Sequence, residues 1–170
     1  KKELINALKI VNGGHITINK MTGSWAGAMG QCQFMPSSFI NYATDWDKDG
    51  SKNIWTSKPD VFASAANYLK RVGWSNQITW GRKVFIGNYN GKTDEKKYNL
   101  LSYWASKGIL KENKDKLPNV KVKARLIIPD GYKNYGYLAY KNFDSLLNWN
   151  RSNYFAIAVG TLADSIKENN

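Results

Sequence analysis

The sequence is poor in the residues that form covalent or metal cross-links. It contains one cysteine, Cys32, and one histidine, His15. A single cysteine excludes an internal disulfide and a cysteine-based zinc site, and a single histidine leaves little scope for a histidine-bound metal. No run approaches the roughly 20 apolar residues that span a membrane. These absences leave a globular, non-membrane-spanning domain as the expected class.

Acidic residues are also scarce. The 170 residues include 13 acidic and 25 basic side chains, which gives a net charge of +12. This charge favours an anionic partner such as a nucleic acid, a membrane surface or an acidic polymer. The basic residues are scattered and belong to no recognised nucleic-acid motif, so we do not expect nucleic-acid binding. The 7 tryptophans, 10 tyrosines and 6 phenylalanines supply flat faces that suit sugar rings.

Hydrophobic periodicity predicts helices at both ends of the chain and a small sheet between them. Helical spacing begins near the N-terminus, at Pro36, after a cap at Asp60 and after a cap at Ser152. Strict alternation over residues 120–128 predicts a strand, and residues 77–86 show a similar period of two. The fold class predicted is therefore α+β, mainly α, with a small antiparallel sheet.

The same patterns predict the domain organisation. Residues 1–76 and 142–170 form a helical portion, and residues 77–141 form a small β-containing subdomain. One continuous domain is the alternative.

An acidic loop has the spacing of the first half of an EF-hand calcium loop. Asp45, Asp47 and Asp49 occupy loop positions 1, 3 and 5, and Gly50 occupies position 6. Alternate residues turn their oxygens toward one hard cation, and the glycine allows the sharp turn that brings the Ser51 carbonyl inward. The three carboxylates would repel one another without a cation.

The second half of this loop is irregular. Position 12 is Thr56, which cannot supply a bidentate carboxylate, so Asp60 is the candidate that closes the site. We expect a structural calcium ion, and a solvated loop without metal is the alternative. The candidate calcium ligands are Asp45, Asp47, Asp49, Ser51 and Asp60.

A glycine-rich segment carries a family resemblance. Residues 23–39 read GSWAGAMGQCQFMPSSF, and they resemble the active-site segment of the membrane-bound lytic murein transglycosylase B family. The similarity continues through the acidic loop, Ile54-Trp55, residues 64–69, Gly73-Trp74 and residues 149–154.

This resemblance implies a lysozyme-like catalytic domain and a particular reaction. The family cleaves the β-1,4 bond between N-acetylmuramic acid and N-acetylglucosamine in peptidoglycan. One glutamic acid protonates the glycosidic oxygen, and its carboxylate then takes the proton of the muramoyl C6 hydroxyl, which closes a 1,6-anhydro ring. This is a one-carboxylate variant of glycosidase chemistry, and it needs an acid whose pKa is raised.

None of the four glutamates stands in the family's catalytic context. Glu3 aligns with the later helix that leads into the glycine-rich segment, Glu95 and Glu112 lie in polar loops, and Glu168 is two residues from the end. The catalytic glutamate is expected upstream of Lys1, in a part that this chain lacks. We therefore expect the chain alone to bind peptidoglycan without cleaving it.

The resemblance also implies which residues contact sugar. The alternative role of Ser24 is a helix cap, and that of Tyr68 is a tyrosine of the core. Met29 and Phe34 could instead serve only in packing. The register of Tyr154 is uncertain by one residue. The candidate substrate-binding residues are Ser24, Met29, Gln33, Phe34, Tyr68, Asn150 and Tyr154.

The implied setting is the periplasm, or the bacterial cell envelope more broadly. The expected partners are peptidoglycan glycan strands, with no organic cofactor, no nucleic acid and a monomeric chain. Membrane attachment is expected only through a lipid anchor upstream. The alternative function is a non-catalytic carbohydrate-binding module.

Overall fold

The computed structural model describes residues 1–89, 97–130 and 133–169. The chain divides into two compact units, Lys1–Val72 and Gly73–Asn170. The predicted grouping of residues 142–170 with the N-terminal helices stays a prediction. Across the described residues, every helix is too short or too polar to cross a membrane.

The first unit is built from short helices joined by long loops. Pro36 takes the first position of its helix, where its fixed φ suits the helix and its missing N–H is no loss. The unit contains helices α1 (Lys2–Asn12), α2 (Pro36–Tyr42) and α3 (Lys58–Arg71), with a 3₁₀ turn at Ile18–Lys20.

The predicted cap of α3 is wrong by three residues. Ser57 is the N-cap, because its hydroxyl accepts a hydrogen bond from the backbone N–H of Asp60 at 3.4 Å. The Asp60 carboxylate is fully buried and is hydrogen-bonded to loop backbone instead. Asp60 therefore takes part both in the first turn of α3, through its backbone N–H, and in contacts with Trp46 and Asn53, through its carboxylate.

A small apolar core holds the first unit together. Phe39 lies at its centre, with His15 and Trp55 tilted against it at ring-centroid distances of 5.6 and 5.8 Å. Helical spacing predicted an apolar face on α1 that includes Leu4 and Leu8. Both side chains are exposed, so this face contributes little to the core of the first unit. The buried apolar residues are Ile10, Met29, Cys32, Phe34, Phe39, Ala43, Ile54 and Val61.

The second unit contains a five-stranded antiparallel sheet in the order β2-β4-β5-β1-β3. Its strands are β1 (Gly81–Phe85), β2 (Asn99–Leu100), β3 (Leu110–Lys111), β4 (Lys123–Ile127) and β5 (Tyr135–Ala139). Its helices are α4 (Leu101–Ser106), α5 (Lys141–Trp149) and α6 (Asn153–Glu168). The α+β class and both predicted strands are confirmed.

Local signals and packing agree in this unit. The alternation of residues 120–128 appears as β4, whose Ala124 and Leu126 join a core with Val84 and Leu138. Ser152 caps α6 as predicted, since its hydroxyl accepts from the N–H of Phe155 at 3.3 Å.

Candidate functional site

The glycine-rich segment folds into a tight turn in the first unit. Met29 and Phe34 exchange two backbone hydrogen bonds, of 2.8 Å and 3.1 Å, which close the turn between them. Gly30 and Gln33 both have left-handed backbones, with φ of 60° and 50°. The Gln33 side-chain amide donates to the Gly30 carbonyl at 2.9 Å. The motif therefore encodes a fixed backbone shape that presents Gln33.

Two glycines of this motif are required by close backbone approach. A Cβ on Gly30 would lie 2.6 Å from the Ile54 carbonyl oxygen, which already accepts from the N–H of Gln31 at 2.8 Å. A Cβ on Gly23 would lie 2.5 Å from the Ala28 oxygen. Neither neighbour is a flexible side chain, so glycine alone fits at both positions.

Gln33 lines the larger of two openings beside this turn. The opening has a volume of about 950 Å³ and is mostly polar in its residue types, with Trp55 as its aromatic wall. Trp55 is held in place, because its indole N–H donates to the Thr22 carbonyl at 2.9 Å. The full lining is Gly14, His15, Ile16, Thr17, Asn19, Lys20, Thr22, Gly23, Gly30, Gln31, Gln33, Asn53, Trp55 and Thr56.

Ser24 and Met29 line a separate, smaller groove of about 420 Å³. The Ser24 hydroxyl accepts from the backbone N–H of Ala28 at 3.2 Å, so it closes its own loop. Met29 is buried, so it forms part of the wall of the groove but exposes little surface to solvent. Glu3 also lines this groove.

Phe34 and Tyr68 lie together in an aromatic group with Tyr42. Their rings are 5.6 Å apart, and the Tyr42 ring meets Tyr68 edge-on at 4.8 Å. Burial raises the pKa of the Tyr68 hydroxyl, and Tyr42 adds to the rise. Phe34 is only 3% exposed, so it supports Tyr68 from inside.

The described glutamates are engaged in ordinary structural contacts or exposed. Glu3 accepts from the backbone N–H of Ser37 at 2.8 Å, at the start of α2. Hydrogen bonds from the Ser37 side chain and backbone hold the pKa of Glu3 below its usual value. Glu112 pairs with Lys83 at 2.6 Å, and Glu168 is exposed at the end of α6. Glu95 lies outside the described residues.

Asn150 and Tyr154 lie in the second unit. The Asn150 side-chain oxygen accepts from the N–H of Ser152 at 3.1 Å. The Tyr154 hydroxyl accepts from the N–H of Asp130 at 3.2 Å and lies 3.3 Å from its carboxylate. Their predicted part in sugar binding stays a prediction.

The acidic loop brings three carboxylates together. One oxygen from each of Asp45, Asp47 and Asp49 lies within 4.8 Å of the other two. Gly50 has a φ of 90° and donates its N–H to Asp45 at 3.0 Å. The other Asp45 oxygen is buried and has no hydrogen-bond partner among the described residues. Converging carboxylates with a buried, unsatisfied oxygen fit a hard divalent cation.

The remaining predicted ligands have other contacts. The two Asp60 oxygens accept from the N–H groups of Trp46 and Asn53, at 2.7 and 2.8 Å. Ser51 donates its hydroxyl to the His15 carbonyl at 3.0 Å. Asp60 thus fastens the loop to α3, and ligation by Ser51 and Asp60 stays a prediction.

The sequence analysis did not predict two residues of the site, Asn53 and Trp55. Both line the larger opening, and Trp55 was named only as part of the family resemblance. The available signal was the Ile54-Trp55 pair shortly after the acidic loop, which belongs to the family resemblance.

Cys32 is buried, as the sequence suggested, and burial raises the pKa of its thiol to about 11, which disfavours the reactive thiolate at neutral pH.

These features coincide with a family match. Residues 1–164 match the Transglycosylase SLT domain, so the chain belongs to that family, and the predicted resemblance is confirmed. Membrane-bound lytic murein transglycosylase B of Escherichia coli (strain K12) is 35% identical over 154 residues, which cover 86% of this chain.

Solved structures show the same fold. SltB3 from Pseudomonas aeruginosa, in complex with NAG-anhNAM-pentapeptide, superposes with a TM-score of 0.90 at 39% identity over 98% of this chain. The Escherichia coli lytic transglycosylase Slt35 in complex with calcium gives a TM-score of 0.80 at 30% identity over 99% of this chain. The described helices and antiparallel sheet are therefore those of a lysozyme-like lytic transglycosylase.

The chain spans only part of these relatives. It covers 40% of the Escherichia coli transglycosylase B, 45% of the SltB3 chain and 53% of the calcium-bound Slt35 chain.

Proposed function

We propose that this chain forms the glycan-binding part of a peptidoglycan lytic transglycosylase. The reaction proposed is cleavage of the β-1,4 bond between N-acetylmuramic acid and N-acetylglucosamine with formation of a 1,6-anhydro product. The observation that carries the proposal is the opening beside the glycine-rich turn, whose lining includes both Gln33 and Trp55 in a chain of this family. An aromatic wall with nearby amide and hydroxyl groups suits a sugar ring, which is apolar on its faces and polar at its edge.

In this proposal the candidate residues divide into two kinds. Gln33, Ser24 and Tyr68 offer polar groups to the glycan, whereas buried Met29 and Phe34 hold the turn and the Tyr68 ring in place. Asn150 and Tyr154, in the second unit, are proposed as further substrate-binding residues. The proposed partners are peptidoglycan strands in the periplasm, bound by a monomer.

We also propose that none of the chain's glutamates is the catalytic acid. A general acid for this reaction must hold its proton near neutral pH, which requires a raised pKa. Glu3 lines the groove beside the glycine-rich turn, and its hydrogen bonds to Ser37 shift its pKa the opposite way. Glu112 is paired with Lys83 and half-exposed, and Glu168 is exposed, so neither lies in the apolar pocket that such an acid needs. The chain alone then acts as a binding module.

The acidic loop is proposed to hold one structural calcium ion. Asp45, Asp47 and Asp49 supply carboxylate oxygens, and the loop takes an EF-hand-like form around the ion. The unpartnered Asp45 oxygen supports this proposal, as does the calcium complex of a relative. Because Asp60 joins the loop to α3, a bound ion would stiffen the helix start as well.

Binding through Gln33 is tested by cosedimentation of the chain with purified peptidoglycan. Gln33→Asn shortens the side chain, and asparagine tolerates the left-handed backbone at this position. Gln77→Asn is the matched control, since Gln77 is exposed in the second unit. We expect the Gln33 variant to bind several-fold more weakly and the control to bind like the wild type. Equal binding of all three proteins would contradict the proposed site.

A further inference from the structure

A second aromatic surface lies outside the openings beside the glycine-rich turn. Trp46 is 68% exposed and Phe62 is 70% exposed, and both line one groove of about 570 Å³. Pro59, Ala63 and Ala66 complete the apolar part of its lining. We call these residues, together with Lys58, the α3 groove.

The α3 groove follows from helical geometry. Positions 58, 62 and 66 are four residues apart and share one face of α3, while Val61 and Ser64 are buried on another face. Phe62 is therefore a large apolar side chain on the solvent side of an amphipathic helix. Two exposed rings and three small residues line the same groove, which leaves room for a flat ligand.

The position of Trp46 is fixed by backbone contacts. The backbone N–H of Trp46 donates to one oxygen of the Asp60 carboxylate at 2.7 Å. The other oxygen of this fully buried carboxylate accepts from the backbone N–H of Asn53. Neither Trp46 nor Phe62 stacks on another aromatic ring in the part of the chain that the structure describes. Both rings are exposed, and the backbone of Trp46 is anchored to Asp60.

We infer that the α3 groove is a second glycan-binding surface, which holds a β-1,4-linked N-acetylhexosamine strand away from the glycine-rich turn. This inference rests on the proposed function. The Trp46 and Phe62 rings stack on the C–H faces of the sugars, whose hydroxyls stay hydrated. Lys58 is the only charged group among the described lining residues, and it faces a carboxylate of the peptide stem or lactyl group.

The size and charge of the groove favour a glycan over a protein or a membrane. A specific protein interface takes about 20–30 residues on each side. The six residues of the α3 groove fall far below that number. Membrane-surface helices combine a long apolar face with several basic residues, whereas the row of positions 58, 62, 66 and 70 on α3 carries one large apolar ring, Phe62, with Lys58 and Lys70.

The test compares three variants of the whole chain by cosedimentation with purified peptidoglycan and by titration with chitohexaose, a neutral N-acetylglucosamine hexamer. The first is Phe62→Ala, which leaves the Asp60 contacts intact and places a strong helix former on an exposed position. The second is the double variant Trp46→Ala/Phe62→Ala. Leu162→Ala is the control, because Leu162 is 62% exposed on α6 in the second unit.

We expect the double variant to bind both ligands about tenfold more weakly, with a smaller loss for Phe62→Ala and none for the control. Wild-type binding with no loss in either groove variant overturns this inference and leaves the proposed function standing. No binding by the wild type overturns both. A wild-type dimer that becomes a monomer in the double variant, measured by analytical ultracentrifugation, also overturns it, because the groove is then a protein interface.

Discussion

Adding one methyl group at Gly30, in the tight turn before α2, should lower the free energy of unfolding by an unusually large amount. Gly30→Ala adds a Cβ at a position with a φ of 60°, 2.6 Å from the Ile54 oxygen and 2.8 Å from its Cγ1. The left-handed backbone costs a non-glycine residue about 1–2 kcal/mol. Forcing the methyl group into packed backbone costs about 1–3 kcal/mol more. The free energy of unfolding should therefore fall by about 2–5 kcal/mol.

Gly14→Ala separates the two contributions. Gly14 has a φ of 76°, but a Cβ there would meet nothing within 4 Å. The control therefore carries only the backbone cost of about 1–2 kcal/mol. The difference between the two variants measures the collision with Ile54.

The assay is urea unfolding of both variants, followed by far-UV circular dichroism and tryptophan fluorescence. We expect Gly30→Ala to have the lower midpoint and to lose binding to peptidoglycan, since Gln33 follows in the same turn. Equal midpoints for the two variants would refute the close approach of Gly30 to Ile54.

Two further predictions concern the acidic loop and Glu3. Calcium at 100 times its Kd should raise the free energy of unfolding by about 2.7 kcal/mol, and the urea midpoint should rise with it. Asp45→Asn should abolish this gain, whereas the control Asp115→Asn should keep it. A calorimetric titration with calcium that shows no heat of binding would contradict the calcium site. Glu3→Gln should destabilise the chain at pH 7 relative to Glu168→Gln, because the folded pKa of Glu3 lies below its unfolded value. That stabilisation is present above the unfolded pKa and is lost as pH falls through the folded pKa. The urea midpoints of the two variants should therefore converge as the pH is lowered into the acid range, and a constant gap would exclude the Ser37 contact.

Local patterns predicted those elements whose cause is local. The strand over residues 123–127 follows from alternation, and the start of α2 follows from Pro36. The start of α3 also had a local signal, since Ser57 and Asp60 have the spacing of a capping motif. We predicted Asp60 as the cap because the sequence does not show that its carboxylate is occupied by Trp46 and Asn53.

Features that depend on distant residues were beyond the sequence. The need for glycine at position 30 arises from Ile54, which is 24 residues away. The exposure of Leu4 on α1 could not be inferred from spacing, because periodicity marks an apolar face without showing what lies against it. For the same reason, family resemblance identified Gln33, but the structure was needed to place Trp55 in the same opening.

The most direct test of the account is the incubation of the 170-residue chain with purified peptidoglycan, with mass spectrometry of the soluble products and cosedimentation of the protein in parallel. The account predicts that the protein sediments with peptidoglycan and releases no 1,6-anhydromuropeptides. Release of these products by the chain alone, abolished by a glutamate-to-glutamine substitution within it, would contradict the claim that none of its glutamates is the catalytic acid.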